Sequence, residues 1–150
     1  MKRIILALML IFPISASAAL PEFSTLVEKN KDVDGITSMT IEKDMLLLLM
    51  SGENSEYIKY IDSIEIIMTG DSTLFAPIND ECKKIIKKTN ADPMISLTED
   101  DSVINVYITK SNECVSNIIL MIEDAAQSMV AVISGNIPES VVSEVVKVTM

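Results

Sequence analysis

Carboxylates are the most abundant chemically capable side chains in this 150-residue chain, 22 of them against 12 lysines and arginines, and histidine and tryptophan are absent. Without imidazole there is no Ser-His-Asp triad, no Cys-His pair, no imidazole zinc site, and no histidine to carry protons near neutral pH. What remains is acid–base work by paired carboxylates and the chemistry of two thiols, Cys82 and Cys114. The densest acidic group, Glu99-Asp100-Asp101, lies between two alternating apolar stretches and reads as a solvated hairpin loop. Asn30-Lys31-Asp32-Val33-Asp34-Gly35 imitates the opening of an EF-hand loop. Its twelfth position, however, is Ile41 where a bidentate glutamate belongs, and Glu42 comes one residue late, so a helix-to-strand turn fits better. Lys83, Lys84, Lys87 and Lys88, with Asp80 three and four residues before the first two, form a solvated helix face near the negative helix C-terminus rather than an anion site. No glycine-rich phosphate loop and no convincing metal pattern is present, so no cofactor is expected. The expected function is non-enzymatic binding. The alternative is a carboxylate- or cysteine-dependent enzyme.

The sequence that must position these groups begins with an expected export signal. Lys2 and Arg3 are followed by an apolar stretch from Ile4 to Ile14, and Ala16-Ser17-Ala18 fits the small-residue cleavage rule. Residues 1–18 are therefore read as a signal peptide and residues 19–150 as one domain. No later segment has the roughly 20 uninterrupted apolar residues of a transmembrane span. Removing Lys2 and Arg3 leaves ten basic against 22 acidic side chains. Phosphate backbones would repel such a charge, which argues against a nucleic-acid partner.

Hydrophobic periodicity predicts helices over Pro21 to Lys31, Asp44 to Met50 (buried, from its Met-Leu-Leu-Leu-Leu-Met run), Glu56 to Ile61 and Thr73 to Thr89, where Phe75, Ile78, Cys82, Ile85 and Ile86 share a stripe. Strands are expected at Ile36 to Ile41 and Ser63 to Thr69. Four more, Met94 to Thr98, Val103 to Lys110, Cys114 to Glu123 and Ser128 to Gly135, read as an antiparallel meander. The loop Glu99–Ser102 pairs Leu97 with Ile104 and Ile95 with Val106. A three-residue loop, Ser111-Asn112-Glu113, sets Ile104, Val106 and Ile108 opposite Leu120, Ile118 and Ser116. A closing helix is expected from Pro138. The fold class is α+β, a largely antiparallel sheet with a C-terminal four-strand meander and helices packed on one face.

The segments Gly35–Ile41, Met45–Leu48, Ile61–Ile67 and Ile95–Gly135 resemble the secreted bacterial family known as domain of unknown function 4252. The resemblance implies no activity, cofactor or catalytic residue. It does imply a Bacteroides-type Gram-negative source and a periplasmic or envelope location, where the expected binding protein would serve a sensing or stress circuit. Asp62-Ser63-Ile64, Asp71-Ser72-Thr73 and Asp101-Ser102-Val103 match the triplet that exported proteins of such bacteria O-glycosylate, which makes Ser63, Ser72 and Ser102 candidates beside their ordinary use in caps and turns.

Two further site expectations concern packing. In an exported protein Cys82 and Cys114 can be a disulfide or two buried thiols, and the chosen registers turn Cys114 with Ile118 and Leu120 toward the helices. The same registers put Val103, Tyr107, Ile119, Met121, Val130 and Val132 on the outer face of the meander. That face is either an interface for self-association or for another envelope protein, or it is covered by the chain's own elements.

Overall fold

The computed structural model describes residues 20–49, 55–111 and 113–149; the expected signal peptide lies outside these. Helix α1 (Pro21–Lys29) starts on a proline, whose fixed φ suits the first helical position. It leads through a turn closed by Gly35 at φ 87° to strand β1 (Ile36–Glu42). Helix α2 (Lys43–Leu49) and the single-turn α3 (Ser55–Ile58) precede β2 (Ile61–Thr69). The long helix α4 (Ser72–Lys88) is capped by the Asp71 carboxylate, which accepts from the Thr73 amide at 2.9 Å. Strands β3 (Asp92–Glu99), β4 (Ser102–Ser111), β5 (Cys114–Glu123) and β6 (Ser128–Pro138) follow. A short 3-10 turn (Glu139–Val141) then leads into helix α5 (Val142–Thr149).

All six strands form one antiparallel sheet in the order β1-β2-β6-β5-β4-β3, so the C-terminal four are the expected meander and the first two strands extend it. The first hairpin has the expected pairing, Leu97 with Ile104 and Ile95 with Val106. The second differs from the expected register. Ser111 pairs with Cys114 and Ser116 is bulged, which moves Val106 opposite Leu120 and Ile108 opposite Ile118. Strand β6 also runs three residues beyond Gly135, so Pro138 ends a strand instead of opening the closing helix. Gly135 is required where β6 passes the β2 entry, because a Cβ there would lie 2.1 Å from the Tyr60 carbonyl oxygen.

Helices cover both faces of the sheet, not one. Leu46 of α2, Ile58 of α3 and Val142, Val145 and Val146 of α5 pack on the side of Ile64, Val106, Ile118, Leu120 and Ile133. Phe23, Leu26 and Val27 of α1 and Phe75, Ile78, Cys82 and Ile85 of α4 pack on the other, against Ile67, Ile119, Met121, Val130 and Val132. The physical reason is in the central strands: Ile118-Ile119-Leu120-Met121 and Val130–Ile133 are apolar without alternation, so both surfaces need cover.

Candidate functional site

Cross-strand pairing arranges the side chains beneath α2, α3 and α5 in rows running across the sheet. The row Ile41, Ile64, Ile133, Ile118, Ile108 reaches from β1 to β4, and its four members from β2 to β4 are buried. The next, Met39, Ile66, Ala131, Leu120, Val106, Ile95, is buried only at its centre. The third, Thr37, Met68, Met129, Ile122, Ile104, Leu97, contains no buried residue. Five of its six side chains are apolar; Met68, Met129, Ile122 and Ile104 are half-buried and Leu97 is exposed, so they form a partly covered shelf at one end of the face. The Gln127 side-chain amide contacts the Met68 sulfur at 3.1 Å on its β2 side. Thioethers and isoleucines make such a shelf adaptable and apolar. On the same side of the sheet, only Leu46 of α2 is buried, while Met45, Leu47, Leu48 and Leu49 are exposed, Leu48 at 77%. The Met-Leu-rich run is thus one anchoring leucine among four exposed apolar side chains, contrary to the expectation of a buried helix.

The shelf ends at β3, an edge strand in which all eight residues are exposed. Ile95 and Leu97 carry the shelf to the edge, Leu97 at 46% exposure. Beyond them Glu99 and the turn residues Asp100, at φ 52°, and Asp101 make an acidic tip, exposed as expected and in no ion pair among the described residues. Pro93 stands near the other end of the strand.

The opposite face carries a second polar arrangement. Glu42, Ser63, Ser134, Asn117 and Thr109 align across five strands, with Thr109 donating to Asn117 at 2.7 Å and Asn117 to Ser134 at 2.9 Å. One row along, Glu65 is buried at 4% exposure beneath α1 and accepts from the Ser24 hydroxyl at 2.9 Å. Desolvation raises its pKa, with a smaller push in the same direction from Glu42, and the Ser24 hydrogen bond opposes the rise. A lone carboxylate in the run Ile64-Glu65-Ile66-Ile67 was the sequence signal for this acid. Between α1 and α4 two hollows of about 350 and 410 Å³ adjoin at Leu26, Lys29, Glu81 and Lys84. Glu22 closes on Lys88 at 3.0 Å there, and Lys84 lies 3.5 Å from Glu81, so two of the four clustered lysines are paired and all four are exposed on the helix face.

The predicted outer-face interface is core. Ile119, Met121, Val130 and Val132 are buried under α1 and α4, with Ile119 at 2% exposure, and Val103 and Tyr107 are half-buried where α4 brings Asn79 and Lys83 over the sheet. Helices rather than a partner cover these residues. Cys82 and Cys114 are free thiols. Cys82 packs with Ile119 and Met121, on the opposite side of the sheet from Ile118 and Leu120, and Cys114 is half-buried at the start of β5. Of the candidate sugar acceptors, Ser63 is buried between β1 and β6 and has no room for one, Ser72 is exposed at the start of α4, and Ser102 is half-buried at the start of β4. The EF-hand-like segment is a turn followed by β1, which carries Glu42 to the far end of the strand from Gly35.

Fold and surface together define an α+β protein built on one six-stranded antiparallel sheet, clothed by helices on both faces, with a half-buried apolar row at one end that becomes exposed on the edge strand. The chain belongs to the family described as domain of unknown function (DUF4252), which it matches over residues 28–145, a range that takes in all six strands. No curated protein and no solved structure matches it. Among the described residues no helix is long and apolar enough to cross a membrane.

Proposed function

We propose that this is an exported, non-enzymatic interaction module of the cell envelope, and that it docks a partner on the open shelf of its sheet. The observation that carries the reading is the row Met68, Met129, Ile122, Ile104, Leu97, apolar from β2 to β3, half-buried over its first four members and exposed at Leu97 on the edge strand. The apolar area that this row and its neighbour still expose is largest at Ile95 and Leu97 on the edge strand, and covering it with a partner would be favourable. Mixed methionine and isoleucine suit contact with a surface that is not itself rigidly shaped. The amino-terminal signal pattern supports an exported location.

A photo-crosslinking side chain placed at Leu97, with Lys84 on the opposite helical layer as control, tests the reading in the native host. Discrete adducts at position 97 that vanish when Ile95→Asp, at an exposed edge-strand position, is added, with none at position 84, are expected. Equal labelling at both positions, or none at either, overturns it.

A further inference from the structure

Docking at the shelf leaves open what kind of segment docks, and the edge strand answers that more narrowly. Strand β3 pairs with β4 on one side only, so the backbone groups on its outer side have no strand partner among the described residues. Its pairing with β4 puts Ile95, Leu97 and Glu99 on the shelf side, next to Val106, Ile104 and Ser102. The strand thus reads, along one face, apolar, apolar, acidic, and the acidic end is reinforced by Asp100 and Asp101 of the turn. Pro93 has no N–H to offer a further strand and marks where pairing stops.

Resting on the shelf reading above, we infer that the partner is an extended segment of another protein that adds as a seventh, antiparallel strand beside β3, with a lysine or arginine followed at alternate positions by two apolar residues. The order follows from direction. In an antiparallel pair the residue opposite Glu99 comes first, and those opposite Leu97 and Ile95 follow at two-residue steps. The apolar pair continues the shelf by one strand's width. The cation meets three exposed carboxylates that no lysine of this chain engages within 4.0 Å among the described residues. Main-chain hydrogen bonds supply affinity in this kind of recognition and the alternating side chains supply selectivity. A second copy is a poor occupant. Two β3 strands paired antiparallel over their full length bring Asp92 opposite Glu99, and the chain as a whole is strongly acidic.

The test uses the mature protein and three synthetic peptides with blocked ends: Lys-Thr-Val-Thr-Val-Thr, its Glu-Thr-Val-Thr-Val-Thr counterpart, and the reversed Thr-Val-Thr-Val-Thr-Lys. The lysine-first peptide is expected to bind at least about tenfold tighter than the glutamate peptide at low salt and to slow amide exchange within Met94–Glu99. In the Glu99→Lys, Asp101→Lys double variant, whose exposed sites leave folding intact, the preference is expected to invert toward the glutamate peptide. Equal binding of the lysine and glutamate peptides, equal binding of the reversed peptide, protection outside β3, or an unchanged preference in the double variant overturns the inference. Light scattering that shows a doubled mass, abolished by Leu97→Lys, makes the occupant a second copy and overturns it too. If position 97 still crosslinks in the host while the peptides fail, the strand-addition inference falls and the shelf reading stands. Loss of both removes both.

Discussion

The Ser24 hydroxyl on α1 donates to the Glu65 carboxylate on β2 at 2.9 Å, tying the first helix of the chain to an acid buried beneath it. Glu65 holds its proton more tightly in the folded protein than in the unfolded chain, because burial disfavours the charge. The folded state therefore binds more protons than the unfolded one above the ordinary glutamate value of 4.5, and stability falls as pH rises from there through the raised native pKa. Replacing Glu65→Gln keeps an acceptor for Ser24 and is expected to remove that slope, with stability at pH 7 equal to or above that of the parent. Urea unfolding at pH 4.5 and pH 7 measures it, and a loss at pH 7 would show that the charge is stabilising.

Removing the donor should do the opposite. Ser24→Ala leaves the buried carboxylate without its hydroxyl partner and is expected to cost about 1–3 kcal/mol at neutral pH. The cost should shrink as the carboxyl protonates in acid, as chemical denaturation across the same pH range can show.

Ile119 and Leu97 are predicted to behave as opposites. Ile119→Lys places a charge among Phe23, Val130 and Val132 and should abolish folding, while Ile119→Val should cost about 0.5–1.5 kcal/mol. Leu97→Lys, at an exposed edge position, should shift stability by no more than about 0.5 kcal/mol while abolishing docking. Thermal unfolding of the three variants separates core from surface.

Gly135→Ala is expected to destabilise by at least about 1–3 kcal/mol, since the methyl meets the Tyr60 carbonyl and the adjoining backbone with no flexible side chain to yield. An unchanged unfolding midpoint would mean that β6 shifts freely past β2.

The thiols should differ in reactivity. Burial pushes the Cys82 thiol up to about 12, so it stays protonated and shielded, whereas Cys114 is half-buried at a strand end. An aromatic disulfide reagent is expected to label Cys114 alone in the native protein and both cysteines in denaturant. Two equally fast native thiols would contradict the packing of α4.

Local pattern determined most of the elements. The stripe Phe75, Ile78, Cys82, Ile85 could only be a helix with one buried face, and Leu97 opposite Ile104 followed from alternation and a short acidic turn. What only the tertiary structure decided was which surfaces are covered. Val103, Tyr107, Ile119, Met121, Val130 and Val132 were legible as one face, yet a strand's sequence does not say whether the layer above that face is its own helix, a partner or water. Here α1 and α4, distant in the chain, fill it. The shelf escaped for the same reason in reverse. Ile104, Ile122 and Met129 look like core residues in sequence, and the structure leaves them half-buried at the margin of the core that α2, α3 and α5 cover. The Ser116 bulge, one extra residue with no compositional mark, then set every register beyond it, because a period of two has no tolerance for a slip of one.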